Sequence, residues 1–127
     1  MTQRYYGSKI VTAWKAENKG QPGYGVKYGG GYTSWSPKDT FEASYLPMGN
    51  SDSLPGWQER IVAEMVQLED RIKKIEAYLG SPALEGLTEV AIDLLRDQLD
   101  VMSRYDAILR LRAGIHGVFK DWKGPEA

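Results

Sequence analysis

A row of apolar residues spaced four and three apart, Ile61, Met65, Leu68, Ile72, Ile75 and Leu79, constrains this chain more than any other feature. Such spacing puts one continuous stripe on one face of a helix, and a helix cannot bury its own stripe. A second helix, another copy of the chain, or both must cover it. The row follows a compact aromatic phrase, Gly31-Tyr-Thr-Ser-Trp-Ser-Pro-Lys-Asp-Thr-Phe41, so two structural regimes meet near Pro55-Gly56.

The regimes differ in composition. Residues 1–56 hold nine of the 14 glycines and nine of the fourteen aromatic residues. Lys9–Trp14 is β-branched and aromatic and reads as a strand, with Lys15 to Gly25 following as a loop. Tyr24–Tyr28 and Tyr32–Trp35 are two further short strands, and Gly29-Gly30-Gly31 supplies the turn of a hairpin between them. Ser36-Pro37-Lys38-Asp39 predicts a short helix to about Tyr45, with Ser36 as N-cap. Leu46–Pro55 reads as a linker or exposed loop.

The second regime predicts one helix from Gly56 to Leu79, stopped by Gly80-Ser81-Pro82, and another from near Thr88 to Ala113-Gly114. The short connection makes them an antiparallel hairpin. The last dozen residues form a tail with Phe119 and Trp122 as candidate anchors. The expected fold class is therefore α+β. A small antiparallel sheet with a short helix occupies residues 1–55, and a helical hairpin for oligomerisation and ligand binding occupies residues 56–127.

The second helix carries Leu94, Leu95, Leu99, Val101, Met102, Tyr105, Ile108 and Leu109, a face wider than one neighbour needs. Either a second subunit covers the excess, which predicts a homo-oligomer of at least a dimer, or the small sheet covers it within one chain. Continuing the spacing from Leu94 brings Gln98 and Arg112 into register with the apolar row. They either form a polar pocket or lie at the stripe's edge and reach solvent, or Arg112 pairs with an intersubunit carboxylate. Arg104, Arg110 and Arg112 cluster around Tyr105, and antiparallel packing should bring Arg60 to the same end of the hairpin. The reading is open between an anion site, because guanidinium forks bind phosphate bidentately, and a solvated lattice neutralised by Glu59, Glu64 and Asp106. In the aromatic hairpin, Tyr24, Tyr28, Tyr32 and Trp35 beside Lys27 and Lys38 either stack on a nucleobase or fill a small core.

Several function classes are disfavoured. There is no cysteine, and the single histidine, His116, leaves no thiolate or imidazole metal centre. A net charge of −1 gives no basic stripe for long nucleic acid. No apolar run approaches a membrane span, and the first residues lack a signal-peptide pattern, so a cytoplasmic protein without membrane partners is expected. The Gly-x-Ser-x-Gly elbow, the phosphate-binding loop and a carboxylate–histidine cluster are all missing. A binding protein with no catalytic residues, metal or cofactor is expected.

Two segments carry a resemblance. Lys9-Ile-Val-Thr-Ala-Trp14, Gly25-Val-Lys-Tyr28, Tyr32-Thr-Ser-Trp-Ser-Pro-Lys-Asp-Thr-Phe41 and Ala43-Ser44-Tyr45 look like a small domain of tailed-phage proteins. Gln58-Glu-Arg-Ile61, Glu64, Leu68, Ile72, Ile75 to Leu79, then Leu94-Leu95, Gln98-Leu99, Met102, Tyr105, Leu109 and Arg112 look like a phage helical-hairpin domain. In that order, over about residues 9–112, they resemble the first Thoeris anti-defence family. The resemblance implies a phage sponge in the host bacterial cytoplasm. It would sequester cyclic ADP-ribose isomers, and in some members cyclic oligonucleotides of the CBASS pathway at separate sites in a hexamer, a trimer of dimers, without cleaving them. It implies ligand roles for Arg60, Gln98, Tyr105 and Arg112. Arg104, Arg110, Lys27 and Tyr28 complete the candidate ligand-binding set from the reading of the residues. The competing expectation is a protein-interaction module whose hairpin blocks a host protein.

Overall fold

The computed structural model describes residues 1–126. The chain is α+β, with a three-stranded antiparallel sheet and a short helix first, then a long helical hairpin. It divides into two compact units between Leu46 and Pro47, earlier than the Pro55 boundary that composition suggests.

In the first unit, β1 (Thr12–Lys15), β2 (Gly23–Lys27) and β3 (Thr33–Pro37) lie in that order across the sheet. The first strand is shorter than expected, since Lys9 to Val11 lie outside it, and the expected loop after it closes a hairpin through Asn18 and Gln21. The hairpin between β2 and β3 turns through Gly31, whose φ of 84° is the left-handed geometry only glycine adopts freely. The register sets Trp14, Gly25 and Trp35 side by side on one face. A side chain at Gly25 would collide with the Trp14 ring, and one at Gly23 with the Trp35 ring. The glycines are thus where two indoles lie flat on the sheet. Trp35 is half-buried, and its Nε1 donates to the Ala16 carbonyl at 2.7 Å.

The other face carries Val26, which is fully buried, and Tyr24. It is capped by α1 (Lys38–Ser44), whose Phe41 stacks between Tyr24 at 4.4 Å and Tyr45 at 4.7 Å. The N-cap of this helix is Pro37, not Ser36. Strand β3 continues through Pro37, so Ser36 is held extended by pairing with Tyr24 and its hydroxyl is not placed to cap.

The second unit is built on α2 (Gly56–Leu79) and α3 (Glu89–Ile115), joined through a single 3-10 turn over Pro82–Gly86. Thr88 caps α3, its Oγ1 accepting from the Ala91 N–H at 3.2 Å. A last short helix, α4 (Val118–Asp121), folds back after Gly117. The core gathers at one end of the hairpin, where Ile61, Val62, Met65 and Leu68 of α2 pack with Leu109, Ala113, Val118 and Trp122. Further along α2, Ile72, Ile75 and Leu79 are only half-buried. Trp122 anchors the tail as expected, its Nε1 donating to the Met48 carbonyl at 2.6 Å, whereas Phe119 remains exposed.

Residues 47–55 are not a free linker. Leu54 joins the core, Met48 packs against it, and buried Ser51 donates to Glu59 Oε2 at 2.6 Å. The segment covers apolar surface that the hairpin's end would otherwise expose, which is why the division between units precedes it.

Candidate anion-binding face of the hairpin

Helical spacing puts Trp57, Arg60 and Glu64 one turn apart along α2, and Tyr105, Arg112 and His116 one or two turns apart along α3. Antiparallel packing joins the two rows. The Trp57 and His116 rings meet edge to face, with centroids 4.7 Å apart. About two turns further along α2, the Tyr105 hydroxyl donates to Glu64 Oε1. That bond, followed by partial burial and the Glu64 charge, pushes the Tyr105 phenol above its ordinary pKa, and the nearby Arg112 guanidinium opposes the shift. Tyr105 is therefore a neutral, fixed donor, and Arg112 lies within electrostatic reach of it.

Arg60 and Arg112 are both exposed, and among the described residues neither has an ion pair or hydrogen bond. Two uncompensated guanidiniums therefore belong to the rows that also hold a pinned tyrosine, a carboxylate and two aromatic rings. Chemically, such a set can accept phosphate oxygens on the guanidiniums, receive hydroxyl donors on Glu64 and offer Trp57, 42% exposed, as a stacking surface.

The other sequence candidates are distributed differently. Arg110 is committed: its Nη2 lies 2.5 Å from Glu69 Oε2 and its Nε 3.4 Å from Asp106 Oδ2. Arg104 is exposed beside Tyr105. Gln98 is exposed on α3, its Nε2 3.6 Å from the Met102 sulfur. Lys27 and Tyr28 belong to the first unit, where Lys27 is exposed at the end of β2. The Tyr28 ring stacks on Tyr32 at 5.8 Å and takes the Lys9 ammonium over its face at 4.5 Å. Trp57, Glu64 and His116 were not singled out as site residues by sequence. The available signal was the antiparallel geometry itself, which sets the first turn of α2 against the last residues of α3. Among the described residues, no group of three or more histidine, aspartate and glutamate side chains is placed to hold a metal ion, and no helix is long and apolar enough to cross a membrane.

The Arg110 cluster has a pH consequence. Asp106 has a side chain 16% exposed, and its Oδ1 is buried without a partner among the described residues. Burial first, then the neighbouring Glu69 carboxylate, hold its carboxyl above the usual carboxylate range, with Arg110 opposing. The folded state thus binds this proton more tightly than the unfolded chain does. Ionised Asp106 costs stability at neutral pH, and the cost is relieved as pH falls through the raised pKa. Asp106→Asn should remove the relief. The melting-temperature difference, wild type minus variant, is expected to grow as pH is lowered from neutral towards about 4; parallel curves would refute this account.

Comparison with known proteins gives one match to a family model. Neither curated proteins nor solved structures match the chain. The family described as Sequestin matches residues 55–115, a span that contains α2, the connection and α3, with Arg60, Glu64, Tyr105 and Arg112 inside it. The hairpin of this chain is similar to Sequestin.

Proposed function

We propose that this protein is a phage anti-defence sponge that binds cyclic nucleotide immune messengers and holds them intact. The messengers are cyclic ADP-ribose isomers, and cyclic di- or trinucleotides of the CBASS type if a further site exists. The reading rests on one observation above the others: Arg60 and Arg112 carry no counter-charge among the described residues, and their rows also contain Tyr105 and Trp57. A pyrophosphate needs guanidinium forks, and an adenine needs an exposed ring. The matched family's name speaks of sequestration, in keeping with this reading, and the match covers the residues in question.

Sequestration works by mass action. A protein that binds the messenger tightly and releases it slowly lowers its free concentration below the level an effector requires, with no chemical step. The decisive experiment is calorimetry against cyclic ADP-ribose isomers and cyclic di- and trinucleotides, followed by chromatography of the ligand recovered after denaturation. Submicromolar binding with the ligand unchanged is the expected result. A new product growing with time would make the protein an enzyme, and silence across the panel would end the nucleotide reading.

A further inference from the structure

The charge of the chain is divided between its two units. Residues 1–46 carry six lysines and arginines against three aspartates and glutamates, a net charge of +3, and residues 47–127 carry ten against fourteen, a net charge of −4. The total of −1 therefore conceals a basic first unit. Its carboxylates are also sorted by position. Asp39 and Glu42 belong to α1, on the face of the sheet away from the two tryptophans, and Glu42 is engaged there by the Tyr24 hydroxyl at 2.7 Å and the Lys38 ammonium at 3.6 Å. Glu17 lies in the turn between β1 and β2. No strand position on the tryptophan face is acidic.

That face is built on a glycine floor. Side chains alternate along a strand, so positions 23, 25 and 27 of β2 share one side. A Cβ on Gly25 would run into Cε2, Cζ2 and Nε1 of Trp14, and one on Gly23 into Cε2 and Cζ2 of Trp35. One indole therefore lies over each glycine. Two residues of strand, roughly 6.7 Å, separate the two floor positions, and a further step of the same length reaches Lys27. Lys27 is exposed, in a row between Thr12 and Thr33. Glycine inside a strand weakens it, and here it lets the rings lie flat instead of standing upright. Trp35 is fixed by its bond to the Ala16 carbonyl at 2.7 Å, and Trp14 is 48% exposed. Fully buried Val26 and the stack of Tyr24, Phe41 and Tyr45 form the core of the unit on the opposite face, which leaves Trp14 at the surface.

Two flat aromatic rings at a two-residue step, followed by a lysine, match the chemistry of a single-stranded nucleic acid. Every base has a π-face to lay on an indole, and the backbone phosphates meet the ammonium and the positive charge of the unit. A duplex keeps its base faces stacked inside. A sugar ring can also lie on an indole, but an uncharged glycan makes no use of the charge.

We infer that the tryptophan face of the first unit binds single-stranded nucleic acid, with two consecutive bases on Trp14 and Trp35 and a phosphate on Lys27. The inference does not rest on the messenger reading, since it uses no residue of the hairpin. DNA and RNA share the chemistry it needs.

The full chain is titrated at low salt with labelled oligothymidylate and oligouridylate of roughly ten nucleotides, a length within the site sizes of single-strand binders. An abasic deoxyribose-phosphate chain of the same length and maltoheptaose, the latter followed by tryptophan emission, serve as controls. Anisotropy should rise with at least one of the two single strands, the tighter one naming the preferred sugar, and the abasic chain should bind at least about fivefold more weakly. Trp14→Ala should weaken binding about 5- to 150-fold, the range for losing one base–aromatic stack. Because that ring also covers Gly25, Lys27→Gln gives a test that leaves the floor intact. Its affinity should fall, and the slope of log K against log salt should become shallower by about 0.7. Arg60→Glu combined with Arg112→Glu should keep the oligonucleotide affinity within a few-fold, which separates this face from the hairpin. Silence with both single strands, equal affinity for the abasic chain, or an unchanged affinity and slope in Lys27→Gln would each overturn the assignment. So would loss of oligonucleotide binding in the arginine double variant, or binding of maltoheptaose alone, which would make the face a glycan platform.

Discussion

Replacing Arg60 and Arg112 together with glutamate is expected to abolish messenger binding while leaving the hairpin folded. Both side chains are exposed, so their removal breaks no ion pair or hydrogen bond recorded among the described residues. A hydrogen bond to a charged group contributes about 1.5–3 kcal/mol, so losing two should cost roughly 3–6 kcal/mol, or about 10²–10⁴-fold in Kd. Reversal adds repulsion of the phosphates to that loss. Calorimetry with the best ligand of the panel gives the affinity, and circular dichroism gives the fold. Arg110→Ala is the instructive contrast. That guanidinium is held by Glu69 and Asp106, so its loss should lower the melting temperature and leave affinity within a few-fold. Undiminished affinity in the double variant would remove these residues from the site.

The largest stability effect is expected from Leu109→Ala. Leu109 is fully buried at the point where α3 meets Ile61, Met65, Val118 and Trp122, and three separate segments close around it. Truncating a buried leucine to alanine costs about 2–5 kcal/mol, since the cavity collapses only in part. In a unit of this size each kcal/mol lowers the melting temperature by about 4–8 °C, so a fall of roughly 8–40 °C should be seen by thermal denaturation. Glu76→Ala, exposed on α2, should stay within about 0.5 kcal/mol of wild type. A Leu109→Ala melt matching that control would mean the core is not where the packing puts it.

The candidate face was partly legible in the chain. The 4-3 pattern brought Tyr105 and Arg112 into one row, and antiparallel logic brought Arg60 towards them. The same logic gathered Arg110 with them, whereas the fold withdraws Arg110 into an ion pair with Glu69, 41 residues away in sequence. Ion pairing between helices depends on their rotation about their own axes, and a sequence periodicity leaves that rotation undetermined.

What the sequence determined by itself was local. The start of α2 after Pro55, its stop before Ser81-Pro82, the Thr88 cap of α3 and the glycine turn between β2 and β3 each follow from backbone chemistry within a few residues. Only the tertiary structure decided which of the two apolar rows of α3 turns inward. Periodicity alone does not separate the row through Leu94 and Val101 from the row through Leu95 and Leu99. The choice falls to long-range packing: Leu54, Val118 and Trp122 close over Leu109 and Ala113, and the apolar surface they bury together is what selects one rotation of the helix over the other.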